Sequence, residues 1–335
     1  MKIKDKPEDF IVEEISEVKP EKTGEYTYVQ LKKENWTTQR AIQQLSRRLR
    51  VSNNRIGFAG NKDKFAITTQ VCSIWKIEPA QIEQVNIKDI ELKVLGKGDE
   101  RINLGDLKAN KFKIIVRDVS KTELEKLEKN FPKVKKQGFV NIFGRQRFGS
   151  AGNSGEIGAE IIKGDLEKAA KLFITEHGDN ERAQEFGVFA KKNWGKWKEI
   201  IKECPDFLGL EKAVLNWLVR VPTDFGGAIR EIPKPTRRIF VSAYQSEIWN
   251  KEAQKSKVKT SQTSKKSAEL TASIIKIPSI DIKRMPELKM LGAERQRVVK
   301  PRNLKKKVKG KTIELEFELP KGCYATVLID SLFSA

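Results

Sequence analysis

The chain has 335 residues, of which 66 are Lys or Arg and 45 are Asp or Glu, giving a net charge of +21; it carries one His and three Cys. At about 150 residues per domain this length predicts two domains, each with enough apolar material for a core. A lone histidine (His177) and isolated Cys72, Cys204 and Cys323 argue against a His- or Cys-based metal site, a disulfide framework and a histidine-dependent nucleophile. The start has no apolar signal segment, and no apolar run reaches the roughly 18 residues of a membrane span. The expectation is a cytoplasmic protein without membrane, metal or cofactor, whose positive charge suits a polyanion.

In chain order, alternation over Tyr26 to Lys32 predicts a strand. Thr37 or Thr38 can cap a helix running to about Arg50, with Ala41, Ile42, Leu45 and Leu49 on one face. Asn53, Asn54, Gly57 and Gly60 punctuate a loop, and strands are expected at Ile67 to Ile74, Val85 to Leu95 and Phe112 to Val119. Thr122 with Glu125 three residues on has the pattern of a capping box. The first part of the chain is therefore α+β. After Gly138 helical patterns dominate, at 156–163, 165–177, 194–203, 207–218 and 236–254, followed by a polar segment at 255–267. Strands are expected to resume at Thr312 to Leu319 and Tyr324 to Leu332, around the turn Pro320-Lys321-Gly322. A terminal strand pair is marginal alone, so it is expected to join the first sheet. That makes 1–137 with 299–335 one discontinuous domain, interrupted by 138–298.

Charge is distributed unevenly. From Asn35 to Lys62 there is no acid, while Arg40, Arg47, Arg48, Arg50 and Arg55 fall in that window. Val298 to Lys311 holds seven basic residues and no acid, and Lys251 to Lys266 is a third basic stretch. Lysine-rich faces are often merely solvated, but arginine suits bidentate phosphate contacts.

Four segments could carry chemistry. In Gly57-Phe-Ala-Gly-Asn-Lys-Asp63-Lys-Phe65, a lone carboxylate sits between two lysines, which suits a nucleophile or base; the alternative is an ordinary turn aspartate. In Asn141-Ile-Phe143-Gly-Arg145-Gln-Arg147-Phe148-Gly149, Arg145 and Arg147 could meet RNA while the two Phe anchor the core. Asn110-Lys-Phe112 offers an aromatic that is core by default and a base-stacking platform if a base is extruded. In Ser242 to Asn250, Tyr244 and Ile248 share a helix face, and Gln245 and Asn250 are free for polar contacts.

In this order and spacing the segments resemble the TruD family of tRNA pseudouridine synthases over nearly the whole chain. The resemblance is carried by Lys4-x-x-Pro7-Glu8-Asp9-Phe10-x-Val12-x-Glu14, by Phe58-Ala59-Gly60-x-Lys62-Asp63-Lys64-x-Ala66-x-Thr68-x-Gln70 and by Asn110-x-Phe112. It continues through Asn141-x-Phe143-Gly144-x-Gln146-Arg147-Phe148-Gly149 and Ser246-x-x-x-Asn250 to Leu319-Pro320-x-Gly322-x-x-Ala325-Thr326. It implies a pseudouridine-synthase-type mixed sheet flanked by helices, carrying a largely helical insertion domain. It implies Asp63 as the catalytic carboxylate and Phe112 as the aromatic on the target uracil. Asn110 would contact the uridine site, and Lys4 would pair with the aspartate. The implied substrate is tRNA, at uridine 13 of the D-arm, with no cofactor and a monomeric enzyme. Arg47, Arg48, Arg50, Arg145 and Arg147 are candidate RNA contacts. Phe65 departs from the family, where His is common, as do Ala109 for Gly and Asp330-Ser331 for an Arg-Glu pair. The same chemistry on another RNA, a non-catalytic RNA-binding protein and a ribosome-associated basic protein are the alternatives.

Overall fold

A computed structural model describes residues 1–255 and 274–334. Nearly all of the polar segment 255–267, and with it most of the third basic stretch, lies outside the described residues. The chain divides into two compact units, Met1–Phe139 with Val299–Ala335, and Val140–Val298.

The first unit contains β1 (Lys2–Ile3), β2 (Phe10–Ile15), β3 (Tyr26–Glu34), α1 (Thr38–Leu49), β4 (Ile56–Phe58), β5 (Ile67–Trp75), α2 (Pro79–Glu83), β6 (Ile90–Gly98), β7 (Ala109–Arg117) and α3 (Lys121–Gln137). The chain leaves this unit through β8 (Phe139–Val140). In the second unit it runs through α4 (Ser154–Lys163), α5 (Leu166–Thr175), α6 (Glu181–Lys192), α7 (Trp197–Glu203), α8 (Gly209–Arg220), α9 (Phe225–Arg230), α10 (Lys234–Lys255), β9 (Ile274–Ile277) and β10 (Ala293–Gln296). It returns through β11 (Val298–Val299) to β12 (Arg302–Lys309), β13 (Thr312–Pro320) and α11 (Ala325–Phe333).

The fold is α+β. One mixed sheet has the order β12-β13-β7-β2-β5-β3-β6, with β1 also on β7 and β4 on β5. Only the central β2–β5 pair of that path is parallel. Residues paired across neighbouring strands share a face. Register therefore lines up Lys33, Thr68, Val12, Phe112 and Phe317 in one row across five strands. The next row holds Leu31 and Gln70 on one side and Glu14, Asn110 and Leu319 on the other.

Helices occupy this face on both flanks. On one flank α1 buries Ala41, Ile42, Leu45 and Leu49 against Val29, Leu31, Cys72 and Ile74. On the other, Lys306 pairs with Leu315 and so shares its face; its ammonium lies 4.8 Å from the Phe131 ring of α3. In turn α3 packs on α11.

Several local expectations change. Tyr324 to Leu332, expected as a strand, is helix α11. The capping box of α3 is Ser120 with Glu123, two residues before the Thr122 expectation. The strand expected from Val85 begins only at Ile90, after Asp89 turns the backbone at φ 60°. The loop expected over Asn53 to Gly60 contains the short strand β4. The basic stretch 298–311 contains edge strand β12, in which Arg302, Lys305 and Lys307 face Glu318, Glu316 and Glu314 of β13. Cross-strand carboxylates offset those charges, and lysines on an outer strand guard it against pairing with another chain.

The second unit is a helical cluster around Ile161, Ala169, Ala170, Leu215, Val241 and Met285. Close packing of α4 on α10 depends on Gly158, where a Cβ would meet the Phe240 carbonyl oxygen at 2.1 Å. Among the described residues no helix is long and apolar enough to cross a membrane.

Candidate active site

The start of the chain builds one side of the site. Ile3 pairs with Val116 and Phe10 with Ile114, so six residues, Lys4 to Asp9, loop out opposite the single residue Ile115. The loop opens at Lys4, whose backbone has φ 59°, a conformation that costs a residue with a Cβ about 1–2 kcal/mol and persists only where its surroundings hold it. The hold is at the other end. Buried Asp9 accepts two hydrogen bonds from Arg117, each 2.8 Å, and one from the Lys6 amide at 3.2 Å. The Arg117 guanidinium, more than the loss of solvent, decides the Asp9 carboxyl, which lies below the usual range. Pro7-Glu8-Asp9 is thus the clasp of the loop that presents Lys4.

Lys4 is presented to Asp63. Its Nζ donates to Asp63 Oδ1 at 3.1 Å and lies 4.1 Å from the Phe10 ring centroid. The two side chains are 19% and 28% exposed, so the pair is sheltered but reachable from solvent.

Asp63 lies on the loop between β4 and β5, which is bolted to the sheet and to α1. Thr38, the first residue of α1, accepts the Lys62 amide at 2.9 Å and donates to Gln70 Oε1 at 3.0 Å. Gln70 in turn donates to the Gly60 carbonyl at 3.2 Å. Beneath the loop, Lys62 Nζ lies 2.7 Å from Glu14 Oε2 and donates to Asn110 Oδ1 at 2.6 Å. The Lys62 and Glu14 side chains are 7% and 1% exposed, so this is a buried ion pair. With its oxygen held by Lys62, Asn110 keeps its NH₂ as the donor end for another partner.

Phe112 shares the face of Asn110. It stacks on Phe317 at 5.2 Å and meets Phe10 edge-on at 6.2 Å. Phe10 therefore touches both Lys4 and Phe112. The Phe112 ring is 6% exposed, with one side against Phe317. Phe65, two residues after Asp63, is 44% exposed.

Lys33 was not singled out in the sequence. Its side chain rises from the end of β3 and donates to the Trp36 carbonyl at 2.5 Å and to the Asp63 carbonyl at 2.9 Å. In the sequence it is one of two adjacent lysines in an alternating strand. Alternation places it on the inward face with Leu31, the signal that could have marked it.

The five arginines separate. Arg47, Arg48 and Arg50 are exposed at the end of α1, and their side chains make no hydrogen bond or ion pair among the described residues. Arg55 of the same acid-free window is used structurally, binding the Trp75 carbonyl at 2.9 Å. In the second unit Arg145 is exposed, whereas Arg147 donates to Ser246 Oγ at 3.1 Å and lies 5.5 Å from the Phe143 ring.

The rest of that motif is a fastening. Phe143 donates its amide to Asn250 Oδ1 at 2.8 Å, and Asn250 donates back to the Phe143 carbonyl at 3.0 Å. Phe143 meets Trp249 edge-on at 5.8 Å, and Arg295 covers it at 4.0 Å while donating to the Asn141 carbonyl. Gln245 donates to the Pro278 and Leu291 carbonyls. Asn250 and Gln245 thus serve architecture. Among the described residues no group of three His, Cys, Asp or Glu is placed to hold a metal ion.

Comparison with known proteins places the chain in a family. The family model of tRNA pseudouridine synthase D (TruD) matches residues 1–264 and 252–332. A probable tRNA pseudouridine synthase D of Methanosarcina acetivorans is 41% identical over 256 residues, 74% of this chain and 58% of that protein. A tRNA pseudouridine synthase D of Aquifex aeolicus is 34% identical over 75% of this chain and 65% of its own. The chain spans under two thirds of the length of these curated relatives. A crystal structure of TruD from Methanosarcina mazei superposes with a TM-score of 0.78 at 30% identity, covering 99% of this chain and 93% of that one. The chain belongs to the TruD family.

Proposed function

We propose that the chain isomerises a uridine of tRNA to pseudouridine, with Asp63 as the reacting carboxylate, and that the target is uridine 13 of the D-arm. The observation that carries this reading is the Lys4–Asp63 pair. It is a partly open carboxylate paired with the Lys4 ammonium above a buried layer of Lys33, Lys62 and Glu14. A structural ion pair has no need of such a foundation, whereas a carboxylate that must meet one sugar carbon in one orientation does.

The reaction breaks the C1′–N1 bond and joins C5 to C1′. C5 gives up a proton and N1 gains one, so the product has the composition of the substrate. Asp63 can serve by adding to C1′ or to the base, or by taking a sugar proton to give a glycal; each route uses the same carboxylate. Lys4 holds one carboxylate oxygen and so orients the group. The Asn110 NH₂ is a donor for a uracil carbonyl. Phe112 provides an aromatic surface beside Phe10. A uridine in folded RNA must be extruded at a cost of a few kcal/mol, of which stacking on a ring returns about 1–3.

The test is Asp63→Asn, assayed by pseudouridine mapping of a tRNA transcript. Turnover is expected to fall by more than about a thousandfold with tRNA affinity and thermal unfolding unchanged. Wild-type turnover in the variant would refute the assignment. Absence of pseudouridine at any site with the wild-type protein would favour a non-catalytic RNA binder.

A further inference from the structure

Lys33 is an anomaly among the lysines of this chain: its side chain is almost fully removed from solvent, at 1% relative exposure. Buried cations are normally paired with a carboxylate. Lys33 instead aims its ammonium at two backbone carbonyls, those of Trp36 and Asp63. The charged groups that bear on it are the Asp63 carboxylate, which stabilises its charge, and Lys62, which opposes it. Burial outweighs both and brings the Lys33 ammonium down to about 8.

The contacts identify what this costly charge does. Trp36 belongs to the turn between β3 and α1, and Asp63 to the loop between β4 and β5. One ammonium ties both turns to the end of β3. Carbonyl bonding fixes the backbone of residue 63, from which the reacting carboxylate projects. The same charge also acts on that carboxylate through space.

We infer that Lys33 is a positioning residue for the reaction, fastening the Asp63 backbone and supplying a second, internal cation to its carboxylate. This rests on Asp63 being the reacting group. A neutral Lys33 loses the internal cation, so activity falls as pH rises through about 8. Stability runs the other way. An unfolded lysine titrates near 10.4, so between about 8 and 10 the unfolded chain binds more protons at this site than the folded one, and folding stability gains with pH. A residue with a merely structural role would not move activity and stability in opposite directions.

The experiment compares wild type, Lys33→Met and Asp63→Asn. Lys33→Met keeps most of the buried volume; removal of the desolvated charge offsets the loss of its two carbonyl bonds, so its unfolding midpoint should stay close to that of wild type near pH 7. Its kcat is expected to drop about hundredfold with KM for tRNA within twofold, and the alkaline limb near pH 8 should vanish from its kcat profile. Wild-type kcat in Lys33→Met, or an unchanged limb near pH 8, overturns the role of Lys33 while an inactive Asp63→Asn leaves the function intact. Wild-type turnover in Asp63→Asn overturns the function itself, and the inference with it.

Discussion

Two motif-bearing regions of this molecule use polar residues in opposite ways. Around Asp63, lysines and a glutamate are taken out of water so that one carboxylate stays partly open: Lys33 and Glu14 are buried, while Asp63 is 28% exposed. Around Phe143 the polar groups close on one another. Asn250 caps both sides of the Phe143 peptide, Arg295 covers its ring and Arg147 reaches Ser246. In sequence the two regions look alike, each a Gly- and Phe-bracketed cluster of cations. The difference teaches that similar motifs can be put to different uses: in the first the charges converge on a group left accessible, as the proposed reaction needs, and in the second the bonds close on the fold itself.

That contrast can be broken most sharply at Lys62. Lys62→Met strands the Glu14 carboxylate, 1% exposed, without its partner. Loss of about 3–5 kcal/mol is expected for breaking a buried pair from one side, read by urea unfolding, and Lys62→Met with Glu14→Gln should recover most of it. An equally unstable double variant would mean that the pair is not what the layer supplies. Lys4 belongs to the same region but not to its foundation. Lys4→Met should lower turnover roughly hundredfold, the scale of one electrostatic contact at a reacting centre, with an unchanged unfolding midpoint. Wild-type turnover would leave Lys4 as a structural partner only. Phe112→Leu, which keeps most of the buried volume, should lower kcat by about tenfold or more, as a stacking contribution of 1–3 kcal/mol implies. Equal losses in turnover and tRNA affinity would argue against stacking in the reacting complex.

In the second region the expected effects are smaller and fall on stability. Asn250→Ala leaves the Phe143 amide and carbonyl without partners. At about 1–3 kcal/mol for an unpaired buried group, a loss of roughly 2–4 is expected, with kcat per folded molecule unchanged. A specific loss of kcat would place this motif in the chemistry after all.

Much of the first unit was legible because its signals are local and agree with one another. Thr37 caps α1, Leu45 and Leu49 keep its apolar face, and the alternation over Tyr26 to Lys32 marks strand β3, which extends to Glu34. Reading failed where two structures share a pattern. Ala325-Thr-Val-Leu-Ile is a short, β-branched apolar run that periodicity cannot assign, and α3 with the sheet makes it a helix. Ser120-x-x-Glu123 and Thr122-x-x-Glu125 are overlapping capping boxes, and the chain uses the first. β12 was hidden because its lysines read as a surface run until Glu314, Glu316 and Glu318 supplied their partners. Asp63, Lys4 and Asn110 were named from the family motif, but the links through Lys62 and Glu14 depend on register between distant strands. Alternation puts Lys33 on the inward face, but its role is not legible there, since its partners are carbonyls, which leave no mark on a sequence.

The mildest expected effect separates neighbours within one motif. Arg147 is bonded to Ser246 and rests on Phe143; Arg145, two residues earlier, is exposed. Arg147→Ala removes one hydrogen bond and should cost about 1 kcal/mol of stability. Arg145→Ala removes no bond and should leave unfolding unchanged. If Arg145 meets a tRNA phosphate, affinity weakens a few-fold at low salt, and the slope of log affinity against log salt falls by about 1. Its neighbour should leave that slope alone, because a guanidinium held against its own fold neutralises no phosphate and so releases none of the RNA's counterions. A changed slope in Arg147→Ala, with none in Arg145→Ala, would reverse the division between holding and binding drawn for this motif.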